Sequence, residues 1–160
     1  MKSILIIGLG RFGRHLCQKF MSLNNEVMIV DRDEAAVSAL ADNVTSAQIA
    51  DCTDENALRA LGVQNFDICF VCIGSDFASS LLVTSMLKDM GAAHIIAKAS
   101  QDIHAKLLLR NGADEVVYPE RDSAERLATR LSARNVFDYI ELTDEYSIYE
   151  IPPLESWVGL

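Results

Sequence analysis

Ile4-Leu5-Ile6-Ile7-Gly8-Leu9-Gly10-Arg11-Phe12-Gly13 decides how the rest of the chain is read. An unbroken apolar run of this kind is the pattern of a parallel strand buried on both faces. The Gly-x-Gly-x-x-Gly after it falls where such a strand turns into a helix, here the helix-like stretch from Arg14 to Leu23. Gly8 permits the tight turn, Gly10 lets backbone approach a pyrophosphate, and Gly13 lets helix and strand pack closely. The free N–H groups and the positive end of the helix dipole then face the phosphates.

The surroundings support this reading. A second apolar run, Glu26-Val27-Met28-Ile29-Val30, ends in Asp31, eighteen residues past Gly13. That is close to the spacing of the carboxylate that accepts ribose hydroxyls. Strand and helix patterns then alternate. Strands are predicted near 3–8, 26–31, 46–50, 67–73, 94–98 and 115–118, and helices near 11–23, 33–42, 54–61, 76–90, 101–110 and 120–133. Such alternation implies right-handed crossovers and a parallel sheet covered on both faces. The expected fold is a Rossmann-like, doubly wound α/β domain of six strands in the order 3-2-1-4-5-6. Its ligand would lie over the strand carboxyl ends, where the order switches between strands 1 and 4. Asp33, Asp54 and Asp76 are placed to cap helices, and Gly62, Gly91 and Gly112 stand where helices should stop.

Composition narrows the function. The chain has 160 residues, a net charge of −9 and no cluster of Lys or Arg, which argues against nucleic acid as a partner. No apolar stretch approaches the roughly eighteen residues needed to span a bilayer. Met1-Lys2-Ser3 enters the first strand directly, so a leader is not expected and the predicted location is cytoplasmic. Cys69-Phe70-Val71-Cys72 spells a Cys-x-x-Cys. Inside a strand its two cysteines point to opposite faces, which favours buried side chains over a metal or redox pair.

Further residues fall at strand carboxyl ends. Asp51 and Cys52 follow strand 3, where a side chain reaches the adenine edge, although Asp51 alternatively only caps a turn. Gly74 follows strand 4 and would admit backbone to a ribose. Lys98 ends strand 5, and Glu120 follows Tyr118-Pro119 after strand 6. Arg11 is placed either to reach a terminal phosphate or to remain solvated. Arg32 is placed to stack on adenine or meet a 2′-phosphate, but Asp31 beside it repels that phosphate. NAD(H), ATP or ADP is therefore expected over NADP. No catalytic constellation accompanies the binding residues. His15, His94 and His104 all lie away from strand carboxyl ends, and neither a Tyr-x-x-x-Lys pair nor a P-loop is present.

Two helices carry more apolar surface than one buried stripe needs, through Leu81, Leu82, Met86 and Met90 in one and Ile103, Leu107 and Leu109 in the other. A subunit interface is the expectation. After the sixth helix, Val136–Leu142 is apolar and aromatic, Tyr146–Ile151 alternates like a strand, and Pro152-Pro153 breaks it. The end, Trp157-Val158-Gly159-Leu160, should dock on another subunit or lead into a further domain.

Gly8-Leu9-Gly10-Arg11-Phe12-Gly13, Asp31, Asp51-Cys52-Thr53-Asp54-Glu55-Asn56, Gly112-Ala113-Asp114 and Tyr118-Pro119-Glu120 together resemble the RCK domain, also called TrkA-N or KTN. The similarity is strongest to the cytosolic gating subunits of Ktr and Trk potassium transporters. It implies a regulatory nucleotide sensor that forms homodimers and an octameric ring beneath a membrane potassium-transporter subunit, without inserting into the membrane itself. It implies that Gly8, Gly10, Phe12, Gly13, Asp31 and Asp51 belong to the cofactor motif and that Arg11 meets a terminal phosphate, often across the dimer. Glu120 matches an acid linked to nucleotide-dependent divalent cation binding. On this basis residues 1–134 form the nucleotide-binding lobe with its crossover helix, and 135–160 lead toward a second lobe. The alternative function is a small NAD(P)-dependent oxidoreductase whose substrate site a partner supplies.

Overall fold

Ile4, Leu5, Ile6 and Ile7 are each no more than 2% exposed, which only the middle of a sheet covered on both faces provides. In the computed structural model, which describes residues 1–74, 76–132, 138–141 and 147–150, they form β1 (Ser3–Ile7). The chain continues through α1 (Arg11–Ser22), β2 (Glu26–Asp31), α2 (Glu34–Ser38), β3 (Ser46–Ile49) and α3 (Glu55–Ala60). Then follow β4 (Ile68–Val71), α4 (Phe77–Asp89), β5 (Ile95–Lys98), α5 (Asp102–Arg110) and β6 (Glu115–Val117). These six strands form one parallel sheet in the order β3-β2-β1-β4-β5-β6, as the alternating pattern implied.

Side-chain alternation along the strands separates the core into two layers. Leu5, Ile7, Cys69 and Val71 face Leu58 of α3, Val83 and Leu87 of α4 and Leu108 of α5. Ile4, Ile6, Phe70 and Cys72 face Cys17 of α1, Val37 of α2 and Leu40. The two ends of the Cys-x-x-Cys thus lie in different layers, with all four cysteines free and buried. Burial pushes the thiols of Cys52, Cys69 and Cys72 up to about 12, so they stay protonated and inert at neutral pH.

Local signals account for the helix ends. Asp33, Asp54 and Asp76 each accept hydrogen bonds from the first-turn N–H groups of α2, α3 and α4. Beyond α4, the N–H of Ala92 returns to the carbonyl of Leu87 with Gly91 at φ +79°, closing a Schellman turn. One helix is shorter than expected. The stretch 33–42 forms only α2 and a separate 3₁₀ turn at Ala41–Asn43. The N–H of Leu40 bonds the carbonyl of Val37 three residues back, which tightens the chain and tucks Leu40 beside Val37 in the core.

The excess apolar surface of α4 is mostly core: Val83 and Leu87 are buried, and Phe77, Leu81, Met86 and Met90 pack against them. Leu82, Ile103 and Leu109 remain about half exposed. The chain forms two compact units, Met1–Pro119 and Glu120–Leu160. α6 (Pro119–Ser132), grouped by sequence with the first, belongs to the second from Glu120 on and buries none of its residues. In that unit β7 (Asp138–Glu141) pairs antiparallel with β8 (Ser147–Glu150), which covers most of the strand expected at 146–151. The Pro152-Pro153 break and the apolar end at Trp157–Leu160 lie outside the described residues. Among the described residues no helix is long and apolar enough to cross a membrane.

Candidate functional site

At the switch point the sheet opens a crevice, because the chain leaves β1 toward one face and β4 toward the other. The loop after β1 is tied to both neighbours. The Gly8 N–H donates to the Val30 carbonyl at 2.9 Å, and the Cys72 N–H donates to the Ile7 carbonyl at 2.7 Å. Gly8 has φ +98°, and a Cβ there would lie 2.9 Å from the Cys72 carbonyl carbon. A Cβ on Gly13 would run into the Gly8 carbonyl oxygen, so α1 packs directly on the loop. At Gly10 a Cβ would meet nothing within 4 Å, leaving the loop crest open to a ligand.

A cavity of about 250 Å³ occupies this crevice. Gly8, Leu9 and Gly10 form its floor, Asp31 and Arg32 follow β2, Asp51, Cys52 and Thr53 follow β3, Gly74 and Asp76 follow β4, and Lys98 ends β5. Eight of the expected residues therefore meet at one place: Gly8, Gly10, Asp31, Arg32, Asp51, Cys52, Gly74 and Lys98. The carboxylate of Asp31 is already organised. Its Oδ2 accepts from the Leu9 N–H at 2.7 Å and its Oδ1 from the Asp33 N–H at 2.9 Å, with lone pairs remaining for sugar hydroxyls.

Asp51 does cap its own turn, accepting from the hydroxyl of Thr53 at 2.6 Å and its N–H at 3.0 Å. Those two bonds, with a smaller pull from the Arg32 charge, hold its carboxyl below the usual carboxylate range. The turn and the cavity wall are the same residue, so the two sequence readings are compatible. Cys52 lines the wall as a buried thiol.

Other expected residues lie elsewhere. Phe12 does not line the cavity; its ring packs against the apolar layer beneath α1, because that motif position falls on the helix's inner side. Gly13 lies buried below the loop as a spacer, and Arg11 is exposed at the start of α1. Glu120 lies in the first turn of α6, in the second unit. Among the described residues no group of three or more His, Cys, Asp and Glu is arranged to hold a metal.

Sequence reasoning missed Asp76 and Ser79 as wall residues. Asp76 accepts from the Ser79 hydroxyl at 2.6 Å, and this bond, followed by the Ser79 and Ala78 N–H groups, lowers its carboxyl pKa. A third aspartate after a strand carboxyl end was the available signal. Its role as the N-cap of α4 masks that signal, because capping alone accounts for an aspartate there. His104 also differs from expectation: α5 begins so close to β5 that the imidazole borders a neighbouring cavity, stacked on Phe77 with centroids 3.7 Å apart.

Residues 4–119 match the TrkA-N domain family. The chain is 44% identical over 150 residues to the Ktr system potassium uptake protein C of Bacillus subtilis, covering 94% of this chain and 68% of the relative. Among solved structures, the TrkA-N domain of the inner membrane protein ybaL of Escherichia coli superposes with a TM-score of 0.73 at 19% identity, covering 81% of this chain and 96% of the other. The GsuK channel has the same TM-score at 22% identity, covering 89% of this chain and 26% of the channel.

Proposed function

The chain belongs to the TrkA-N domain family, and on that premise we propose that it is a nucleotide-sensing regulatory subunit of a potassium uptake transporter. The observation that carries the proposal is the crevice itself. An open glycine crest, a helix start and an organised Asp31 converge at the one place where a doubly wound sheet accepts a nucleotide. The neighbours' ligands point the same way: the GsuK channel is bound to NAD in one structure and to ADP in another. The relative's name supplies the process, potassium uptake.

In this reading Asp31 accepts the ribose hydroxyls, the loop N–H groups hold phosphate, and Arg32, Asp51 and Cys52 surround the adenine. Gly74 and Lys98 meet the far side of the ligand. ATP, ADP and NAD(H) are the ligands of matching chemistry. The subunit works from the cytoplasmic side as a homodimer within a ring beneath the membrane subunit. Arg11 reaches a terminal phosphate there, and Glu120 serves a divalent cation. Regulation rather than catalysis is the reading that the potassium uptake relative favours.

A nucleotide shifts such an assembly only through its differential affinity for two states, and coupling of about 1–3 kcal/mol per site suffices when sites act together. The test is calorimetric titration with ATP, ADP, NADH, NAD and NADPH, with particle mass followed by light scattering. The expected result is tight binding of at least two rival nucleotides, distinct assembly states and no NADH oxidation. Binding of none of them would overturn the proposal.

A further inference from the structure

Beyond Gly74 lies a second cavity of about 150 Å³, bordered by Phe77, Ser80, Ser100 and His104. Ile73, Gly74 and Lys98 border both cavities, so the two are adjoining spaces with Lys98 between them. The Lys98 ammonium lies 3.2 Å from where a Cβ on Gly74 would stand, and the missing side chain is what gives it that position. Lys98 makes no ion pair among the described residues.

Ser80 brings an unpaired hydroxyl to the same cavity. It is 1% exposed, lines this cavity, and its hydroxyl has no hydrogen-bond partner among the described residues. Its backbone N–H is satisfied by the Asp76 carbonyl at 3.1 Å, so the helix accounts for the main chain and leaves the side chain over. Buried polar groups are nearly always paired. Thr84, one turn further along α4, is equally buried and unpaired among the described residues, but Ser80 is the one of the two that borders this cavity, where a partner can reach it. The other wall is a stacked pair, with the His104 ring within 10° of parallel to Phe77. The first-turn N–H groups of α4 are already taken by Asp76, so the pull on a negative group comes from the Lys98 cation and the free Ser80 hydroxyl.

We propose that this second cavity is an anion-accepting subsite of the nucleotide cleft, in which a phosphate-like group pairs with Lys98 and accepts a hydrogen bond from Ser80 Oγ. The inference rests on the nucleotide-binding reading and extends it. The anion is either the distal phosphate of a bound nucleotide or a free inorganic phosphate beside a mononucleotide.

The experiment compares the wild-type chain with Ser80→Ala and Ser80→Val. AMP, ADP and ATP are titrated into each protein, and inorganic phosphate is titrated into both nucleotide-free and AMP-saturated protein. Two results support the subsite. An affinity gain of about tenfold from AMP to ATP, reduced in Ser80→Ala and abolished in Ser80→Val, assigns it to the distal phosphate. Phosphate binding that the same substitutions weaken assigns it to the free anion. Thermal unfolding without ligand separates this from a structural role: Ser80→Ala should leave the midpoint unchanged or raise it, because it removes an unpaired buried hydroxyl. Variants that bind ATP and phosphate as the wild type does would overturn the subsite, while unchanged AMP binding would leave the nucleotide reading in place. If wild-type protein binds no nucleotide, that reading fails, and the phosphate titration alone decides the subsite.

Discussion

The two sides of the cleft are built differently. On the β1–β2–β3 side the two carboxylates are already engaged within the chain: Leu9 and Asp33 donate to Asp31, Thr53 donates twice to Asp51, and Gly8 bonds Val30 beside them. On the β4–β5 side Lys98 lacks an ion pair and Ser80 lacks a hydrogen bond among the described residues. Pre-paired groups present a fixed shape and hold whatever all adenine nucleotides share. Unpaired groups gain most from a ligand that completes them, so that side is suited to telling one nucleotide from another.

The strongest way to break this comparison is at the spacer glycine. Gly13→Ala should destabilise the fold by about 3 kcal/mol or more in chemical denaturation, since its Cβ meets the Gly8 carbonyl in rigid backbone. Gly10→Ala, with open space at that position, should stay within about 1 kcal/mol of wild type. Equal losses from both would show that the loop is not packed as described. Next in size, Asp31→Asn leaves two N–H donors facing a side chain with one acceptor oxygen. It should cost about 1–3 kcal/mol of stability and weaken every adenine nucleotide together.

Lys98→Met probes the other side. Stability should change by no more than about 0.5 kcal/mol, while affinity falls roughly tenfold for ATP and less for AMP, as calorimetry would read. A uniform fall for AMP and ATP would erase the distinction between the sides. The smallest effect concerns acid. The folds around Asp51 and Asp76 favour their charged forms, so their contribution is complete above the unfolded carboxyl value near pH ~4. It is lost as pH falls through the lowered folded values. The variant carrying Asp51→Asn and Asp76→Asn should therefore lose stability less steeply than wild type in that acid window, read as unfolding midpoint against pH.

Much of the first side was legible from sequence because its signals are local. The glycine spacing, the apolar strand before it and the acid after β2 sit within one strand–helix–strand unit, and the structure puts Gly8, Gly10 and Asp31 on one wall. Phe12 was misleading because a motif names positions without saying which way each side chain points from the helix. The shortening of α2 was hidden since it depends on Leu40 finding the core, a tertiary event. The second side was harder still. Ser80 reads as an ordinary residue of an apolar helix, and Asp76 reads fully as a cap, so neither leaves a residue of meaning to pursue. Only the three-dimensional meeting of α4, β5 and α5 places Ser80, Lys98 and His104 around one space.

The strands shorten toward the margins of the six-stranded sheet. β1 and β2 have five and six residues, whereas the outermost, β3 and β6, have four and three. A short border strand offers few main-chain groups for another chain to add onto in register. In colloidal terms, contacts between copies are then left to side chains rather than to continued strand pairing. A concentrated solution of this acidic protein should accordingly stay free of amyloid-dye fluorescence while it remains folded.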